Sequence, residues 1–302
     1  MRTIRTVSEL RAQLRPPRRS GRRIGLVPTM GAFHGGHLSL IRRARAETDV
    51  VVVSLFVNPT QFAAGEDVRA YPRDEARDVA LAAELGADIL FAPSHDEVYP
   101  EGFATTVTVD GVTQVLEGAH RGAAHFRGVT TVVTKLLNMV SPDAAYFGQK
   151  DAQQAVVIRR LVADLDIGVD IVVCPTVREP DGLAMSSRNA YLDPGDRARA
   201  VALWRGLKAA EATVDEGERE PGALVSAARA AMAEHDVDPE YLEIIDPDTL
   251  SPLAEVDGDA LIVVAAKIGP ARLIDNIAVR ASVAPAGQRG DRIGAAEAPC
   301  SA

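Results

Sequence analysis

The first 176 or so residues alternate between stretches that are apolar on both faces and stretches that are apolar on one. Arg23 to Pro28 (RIGLVP) and Val50 to Val57 (VVVVSLFV) belong to the first kind. Apolar, β-branched runs of this length predict central parallel strands covered on both sides. Asp88 to Ala92, Ala144 to Phe147 and Val169 to Pro175 read the same way, and Thr105 to Val109 alternates like a strand. Helical periodicity fills the intervals. His37 to Thr48 puts Leu38, Ile41 and Ala44 on one face and Arg42, Arg43 and Arg45 on the other. Asp74 to Leu85 is helical with Gly86 as its cap, and Val129 to Val140 stops before Ser141-Pro142. Asp151 to Leu165 is a further helix, with Asp151 placed to cap or begin it. The alternation predicts an α/β fold, a Rossmann-like parallel sheet with helices on both faces and right-handed crossovers. Such sheets collect ligands beyond the carboxyl ends of their strands.

After about residue 176 the pattern changes. Pro194 to Glu216 predicts one long Ala-rich helix and Gly222 to His235 another. Strands follow at Tyr241 to Ile245, Ala260 to Lys267 and Ile274 to Val279, with turns at Asp257-Gly258 and Gly269-Pro270. The expected domains are therefore 1–176, a catalytic Rossmann-like unit, and 177–283, a smaller α+β unit that serves as its lid. Residues 284–302 are Gly, Ala, Pro and charge, the composition of a disordered tail.

Composition narrows the class. Of 302 residues, 33 are Lys or Arg and 42 are Asp or Glu, for a net charge of −9. That balance argues against a nucleic-acid partner but leaves room for a small anion in a local basic pocket. The longest apolar runs, Val50 to Val57 and Leu261 to Ala266, fall far short of the ~20 residues that span a bilayer. No apolar segment follows the basic start, and Glu9 weakens a transit-peptide reading of Arg-rich residues 11–23. Cys174 and Cys300 make no disulfide framework and no C-x-x-C, so a reducing cytoplasm is expected.

Four stretches carry chemistry. Pro28-Thr29-Met30-Gly31-Ala32-Phe33-His34-Gly35-Gly36-His37 lies between a strand and a helix. Its glycines allow close backbone approach, and the helix start offers amides to an anion. Two imidazoles three residues apart can donate to one phosphate and stabilise charge that grows at a five-coordinate phosphorus. A glycine-rich turn with two polar histidines would read alike; a metal pair lacks the H-E-x-x-H glutamate. Phe147-Gly148-Gln149-Lys150-Asp151 is a second strand-to-helix junction, with Lys150 as a point charge for phosphate. Met185-Ser186-Ser187-Arg188-Asn189 offers hydroxyls and a guanidinium suited to pyrophosphate. Phe56-Val57-Asn58-Pro59-Thr60-Gln61-Phe62 presents the amides of Asn58 and Gln61 beside aromatic rings, and Gln153 and Gln154 could face the same cleft. Each stretch alone is weak. All four follow predicted strands, where a parallel sheet gathers its site.

The blocks VPTMGAFHGGH, SLFVNPTQF, YFGQKDAQQ, PTVREPDGLAMSSRN and ARLIDNI, in that order, resemble the pantoate–β-alanine ligase (pantothenate synthetase) family of the HIGH-motif nucleotidyltransferase superfamily. The likeness covers about residues 20–280. It implies ATP-dependent condensation of pantoate with β-alanine through a pantoyl adenylate, with release of pyrophosphate and AMP. It implies Mg²⁺ and a homodimer. By position, His37 matches a proton donor, with His34, Lys150 and Arg188 completing the catalytic group. Met30, Gly31, Ala32, Phe33, His34, Gly35, Gly36 and His37 match one ATP loop, and Gly148, Gln149, Lys150 and Asp151 a second. Val177 would hold adenine through its backbone, while Met185, Ser186, Ser187 and Arg188 occupy the place of a KMSKS-like loop. Gln61 and Gln154 match pantoate-binding amides, with Gln61 also near β-alanine, and Ala64 to Arg77 matches a mobile wall.

Some positions stay open. Gly35 stands where relatives often carry a larger residue, which should loosen the loop slightly. Asp74 and Asp78 are unassigned candidates for Mg²⁺, and His125 reads equally as a cleft or a structural residue. His95, His120 and His235 are expected in solvent, Trp204 in helix packing and Cys174 in a buried strand. The competing activities are an AMP transferase that stops at the nucleotidyl product, a nucleotide-binding protein without turnover, and a tRNA synthetase. The paired amides disfavour the first, the retained cations and histidines the second. The length and acidic charge disfavour the third.

Overall fold

The apolar runs become a six-stranded parallel sheet: β1 (Arg2–Ile4), β2 (Ile24–Thr29), β3 (Val50–Leu55), β4 (Ile89–Phe91), β5 (Ala144–Gly148) and β6 (Asp170–Cys174). Their spatial order is β1-β4-β3-β2-β5-β6, with every pairing parallel. The computed structural model describes residues 1–62 and 71–281; the expected tail, and residues 64–70 of the expected wall, lie outside them. Helices cover both faces: α1 (Val7–Arg19), α2 (Gly35–Glu47), α3 (Glu75–Glu84), α4 (His95–Val98), α5 (Glu117–Arg121), α6 (Ala123–Val140) and α7 (Ala152–Asp164). Strand alternation sorts the core. Leu26, Val50 and Val52 join the cluster under α1, α6 and α7, while Val27, Val51 and Val53 join the one under α2 and α3.

Beyond the sheet come α8 (Pro194–Ala200), α9 (Ala202–Asp215) and α10 (Pro221–Ala233), then an antiparallel meander of β7 (Tyr241–Ile245), β8 (Asp259–Ile268) and β9 (Ala271–Arg280). One face of the meander packs on α9 and α10. The other, through Tyr241, Ile245, Leu261 and Val263, shares a core with Leu116, Ala152 and Val156. β9 is thereby brought against the carboxyl end of β5.

Several expectations are corrected. Thr105 to Val109 is not a strand. The Val107 N–H donates to Thr131 Oγ1 at 3.0 Å and its carbonyl accepts from Thr130 Oγ1 at 2.5 Å, so side chains of α6 take the place of a neighbouring strand. The single helix over Pro194 to Glu216 is two, separated at Val201. Arg197 ties α8 to Glu179 and Asp181, while α9 turns onto β8 and β9. Asp151 makes no capping hydrogen bond; a 3₁₀ turn over Gln149–Asp151 precedes α7. α6 begins six residues before its predicted start. The sequence reading passed over α1, whose Arg and Pro density hides Leu10 and Leu14, an (i, i+4) pair buried under a Thr6 cap. Pro16 and Pro17 lie in its C-terminal half.

Candidate active site

The chain runs outward from β2 to β3 and β4 on one side, then crosses to place β5 on the other side of β2. β2 and β5 therefore flank the switch point, where loops diverge and leave a crevice at their carboxyl ends. A cavity of about 320 Å³ opens there. The histidine loop after β2, the turn after β3, the Lys150 turn after β5 and the Val177 to Arg188 segment after β6 all line it.

The histidine loop is locked from behind. Gly31 and Ala32 take left-handed φ values of 89° and 53°. The buried Asp78 carboxylate accepts from the Ala32 and Phe33 amides, both at 2.8 Å, and Arg77 donates to the Phe33 carbonyl at 3.2 Å. Burial pushes the Asp78 carboxyl up, against the pull of those amides. Asp78 is thus a brace for the loop and Asp74 the cap of α3, which gives both of these Mg²⁺ candidates structural work.

At the start of α2 the two histidines form a capping box. His34 Nδ1 accepts from the Gly36 N–H at 3.2 Å, and His37 Nδ1 accepts from the His34 N–H at 3.4 Å. A backbone amide can only donate, so both rings carry their proton on Nε2. The rings stand 4.2 Å apart, centroid to centroid. Burial first, then the Lys150 charge, lowers His34 to about 4. Burial first, then His34, lowers His37 to about 3. At neutral pH the site offers two neutral Nε2–H donors beside the amides of a helix N-terminus.

Lys150 faces this loop with its ammonium 3.9 Å from the Asp151 carboxylate. Val177 and Met185 line the same space, and the Met185 N–H donates to the Val177 carbonyl at 2.9 Å. With the Arg178–Ala184 bridge, this bond makes the segment a short hairpin carrying Ser186, Ser187 and Arg188. A Cβ on Gly35 would lie 2.6 Å from Met185 Sδ. The bare glycine leaves room there for the Met185 side chain against the histidine loop.

The third wall is apolar with amides set into it. Phe62, Val129, Val133 and Phe147 line it beside Gln61 and Gln154. Gln61 Oε1 accepts from Asn58 Nδ2 at 3.0 Å, so the Gln61 amide nitrogen is the donor left to a ligand. Asn58 is itself buried, donating to the Gly128 carbonyl and accepting from Tyr99, which makes it a support for Gln61. Gln153 is likewise spent internally, on the Glu117 amide and the Val112 and Val115 carbonyls. His125 serves both of its open readings. It lines the cavity, and its Nδ1 donates to the Gln61 carbonyl at 2.7 Å.

Of the predicted site residues, Met30, His34, Gly36, His37, Gln61, Gly148, Lys150, Asp151, Gln154, Val177, Met185, Ser186, Ser187 and Arg188 line one cavity. Gly31, Ala32, Phe33, Gly35 and Gln149 do not; they build the loops behind it, and Phe33 is core. The C-terminal meander adds a wall through Tyr241, Arg272, Ile274 and Asn276, residues that the expectation of a covering unit did not single out. ARLIDNI was the one signal for it. Trp204 packs away from the cavity, its ring 3.7 Å from the Arg178 guanidinium carbon. His95 and His120 are exposed, His235 is half-buried against Arg205, and Cys174 is buried as expected.

Comparisons with known proteins agree in kind. The family model described as pantoate-beta-alanine ligase matches residues 2–278. The pantothenate synthetase of Koribacter versatilis is 50% identical over 283 residues, covering 93% of this chain and 97% of that protein. That of Acidiphilium cryptum is 53% identical over 280 residues, 92% of this chain and 100% of that one. The crystal structure of the Thermus thermophilus enzyme is 50% identical, with a TM-score of 0.87 over 92% of this chain and 99% of that chain. The pantoate-beta-alanine ligase of Francisella tularensis, crystallised with beta-gamma ATP and beta-alanine, is 34% identical, with a TM-score of 0.76 over 92% of this chain and 97% of that chain.

Proposed function

The chain belongs to the pantoate–β-alanine ligase family, and on that premise we propose that its cavity joins pantoate to β-alanine in two steps, with ATP as the activating substrate. A carboxylate does not react with an amine until it carries a leaving group. In the first step a pantoate carboxylate oxygen bonds to the α-phosphorus of ATP, and the bond from that phosphorus to the pyrophosphate oxygen breaks. In the second, the free amine of β-alanine bonds to the acyl carbon, AMP departs with the carboxylate oxygen, and the amine sheds its proton.

The observation that carries this reading is the pair of neutral Nε2–H donors at the start of α2, facing Lys150 across the switch point. Two donors fixed on one side suit the non-bridging oxygens of a five-coordinate α-phosphorus, whose charge grows in the transition state. Because both rings are held neutral, His37 acts as a hydrogen-bond donor; a full proton transfer would first need the nucleotide charge to raise its pKa. Lys150, Arg188, Ser186 and Ser187 take the charge of the departing pyrophosphate. Val177 and Met185 cover the base. Gln61 and Gln154 hold the polar groups of pantoate, Phe62, Val129 and Val133 its methyl groups, and Gln61 also lies on the approach of β-alanine.

Among the described residues no three His, Cys, Asp or Glu side chains gather as a metal cage. That donor set fits Mg²⁺ arriving on the triphosphate and keeping its waters, with the Asp151 carboxylate as the protein group that would face it. Bound there, the ion would neutralise charge on the leaving group. On this reading residues 1–176 form the catalytic unit, and the described part of the second unit, residues 177–281, forms its cover. We extend the reading to a cytoplasmic homodimer without a nucleic-acid partner. The net charge of −9 disfavours a polyanionic partner, the free thiol of Cys174 suits a reducing compartment, and the dimer follows from family membership alone, so sedimentation tests it.

Purified protein given ATP, Mg²⁺ and pantoate should release pyrophosphate, and added β-alanine should yield the amide with one AMP per product. Absence of pyrophosphate in the first mixture would refute the reading. Pyrophosphate without an amide product in the second would point to a plain AMP transferase.

A further inference from the structure

ARLIDNI lies on β9, far in sequence from the histidine loop, and no step above uses it. Its Asn276 is 4% exposed, and its side-chain hydrogen bonds all go to one turn. Nδ2 donates to the carbonyls of Gln149 and Lys150, both at 2.9 Å, and Oδ1 accepts from Gln149 Nε2 at 3.2 Å. That turn carries Lys150 into the cavity. Its neighbour Asp275, 3% exposed, is gripped by Arg178 through two bonds of 2.6 and 3.0 Å. Arg178 also donates to the Asn276 carbonyl at 3.2 Å and follows Val177 in the nucleotide hairpin. Two adjacent residues of the C-terminal meander thus hold both cationic loops, one on each side.

We propose that Asn276 is a positioning residue for Lys150, which it places by holding the peptide carbonyls of the turn, with the Asp275–Arg178 pair as its anchor. Simple docking of the meander does not need a buried amide. Tyr241, Ile245, Leu261 and Val263 already supply an apolar contact, and a buried amide is costly unless every group is paired. Here every group is paired, and to the same turn. A lysine on a four-carbon stem reaches its phosphate only as accurately as its backbone is held, and a misplacement of ~1 Å can cost about 10²-fold in rate. The proposal rests on Lys150 acting at adenylation.

The test is a double-mutant cycle between Asn276 and Lys150, read by pantoate-dependent pyrophosphate release. Asn276→Asp keeps the acceptor for Gln149 and loses both donors; Asn276→Leu removes both functions without adding charge. Should the leucine variant fail to fold, the aspartate variant carries the test. We expect each variant to slow pyrophosphate release about 10- to 100-fold and to raise KM for ATP. Single-turnover reaction of preformed pantoyl adenylate with β-alanine should stay within about twofold of the parent. In a Lys150→Ala background neither substitution should slow release by more than about two- to threefold, because a residue that acts through Lys150 has nothing left to place. Multiplicative losses in that background would overturn the proposal, as would equal damage to both half-reactions or parental rates in both variants. Parental adenylation in Lys150→Ala alone would instead remove Lys150 from the mechanism, and the proposal with it.

Discussion

His34 and His37 each accept a backbone amide on Nδ1, and burial keeps both rings neutral far below the ordinary range. The sign of the consequence follows from linkage. The unfolded chain takes up protons on these rings near pH 6.5, while the folded chain waits until about 4 and about 3. Between those values the unfolded state binds more protons, so stability falls as pH drops from about 7 toward 4. For the more buried His37, going from pH 7.5 to 5.5 should cost about 1.4 kcal/mol. His37→Gln should remove that part of the slope in denaturant midpoints measured across this range. A slope identical to that of the parent would mean that His37 is not held neutral. Removing a single transition-state donor typically costs ~10²–10³ in rate. His37→Ala should therefore fold, with an unchanged far-ultraviolet dichroism spectrum, and lose adenylation by about that factor. Unchanged turnover would take His37 out of the chemistry.

Gly128 shows how α6 shapes the wall that carries Gln61. A Cβ there would lie 2.4 Å from the Thr60 carbonyl oxygen and 2.7 Å from the Gln61 amide nitrogen. The glycine lets the Pro59–Gln61 turn sit directly on the helix, one turn after His125 grips the Gln61 carbonyl. Gly128→Ala should displace Gln61 and raise KM for pantoate about tenfold, with KM for ATP within twofold, in initial-rate measurements. Equal rises in both constants would contradict a role confined to this wall. The strands were legible because short, continuous β-branched apolar runs between amphipathic helices suit a parallel sheet buried on both faces. The histidine loop was legible only in company: alone it reads equally as a glycine-rich turn, and its place after a strand beside three other such stretches marks it as a site. Asn58, Gln153 and Asp78 were not. Each is a polar side chain on a loop or helix start, and only the fold reveals that its partners are carbonyls or amides tens of residues away. Thr105 to Val109 failed for the same reason, its alternation being satisfied by threonines of α6.

Taken whole, the molecule is acidic while its cavity gathers Lys150, Arg188, Arg121 and Arg272 with two helix starts. The net charge opposes a polyanion, while the local cations suit one small anion. The meander walls the crevice that the sheet opens, and β9 bonds to the turn that carries Lys150. This contact lies beyond any local pattern, because it joins residues about 126 positions apart. The proposed reaction turns on the bond made at the α-phosphorus. Pantoate labelled with ¹⁸O in its carboxylate, incubated with ATP, Mg²⁺ and β-alanine, should deliver one labelled oxygen to AMP, read by mass spectrometry. Label in pyrophosphate or inorganic phosphate, with none in AMP, would mean attack at another phosphorus and would contradict the account.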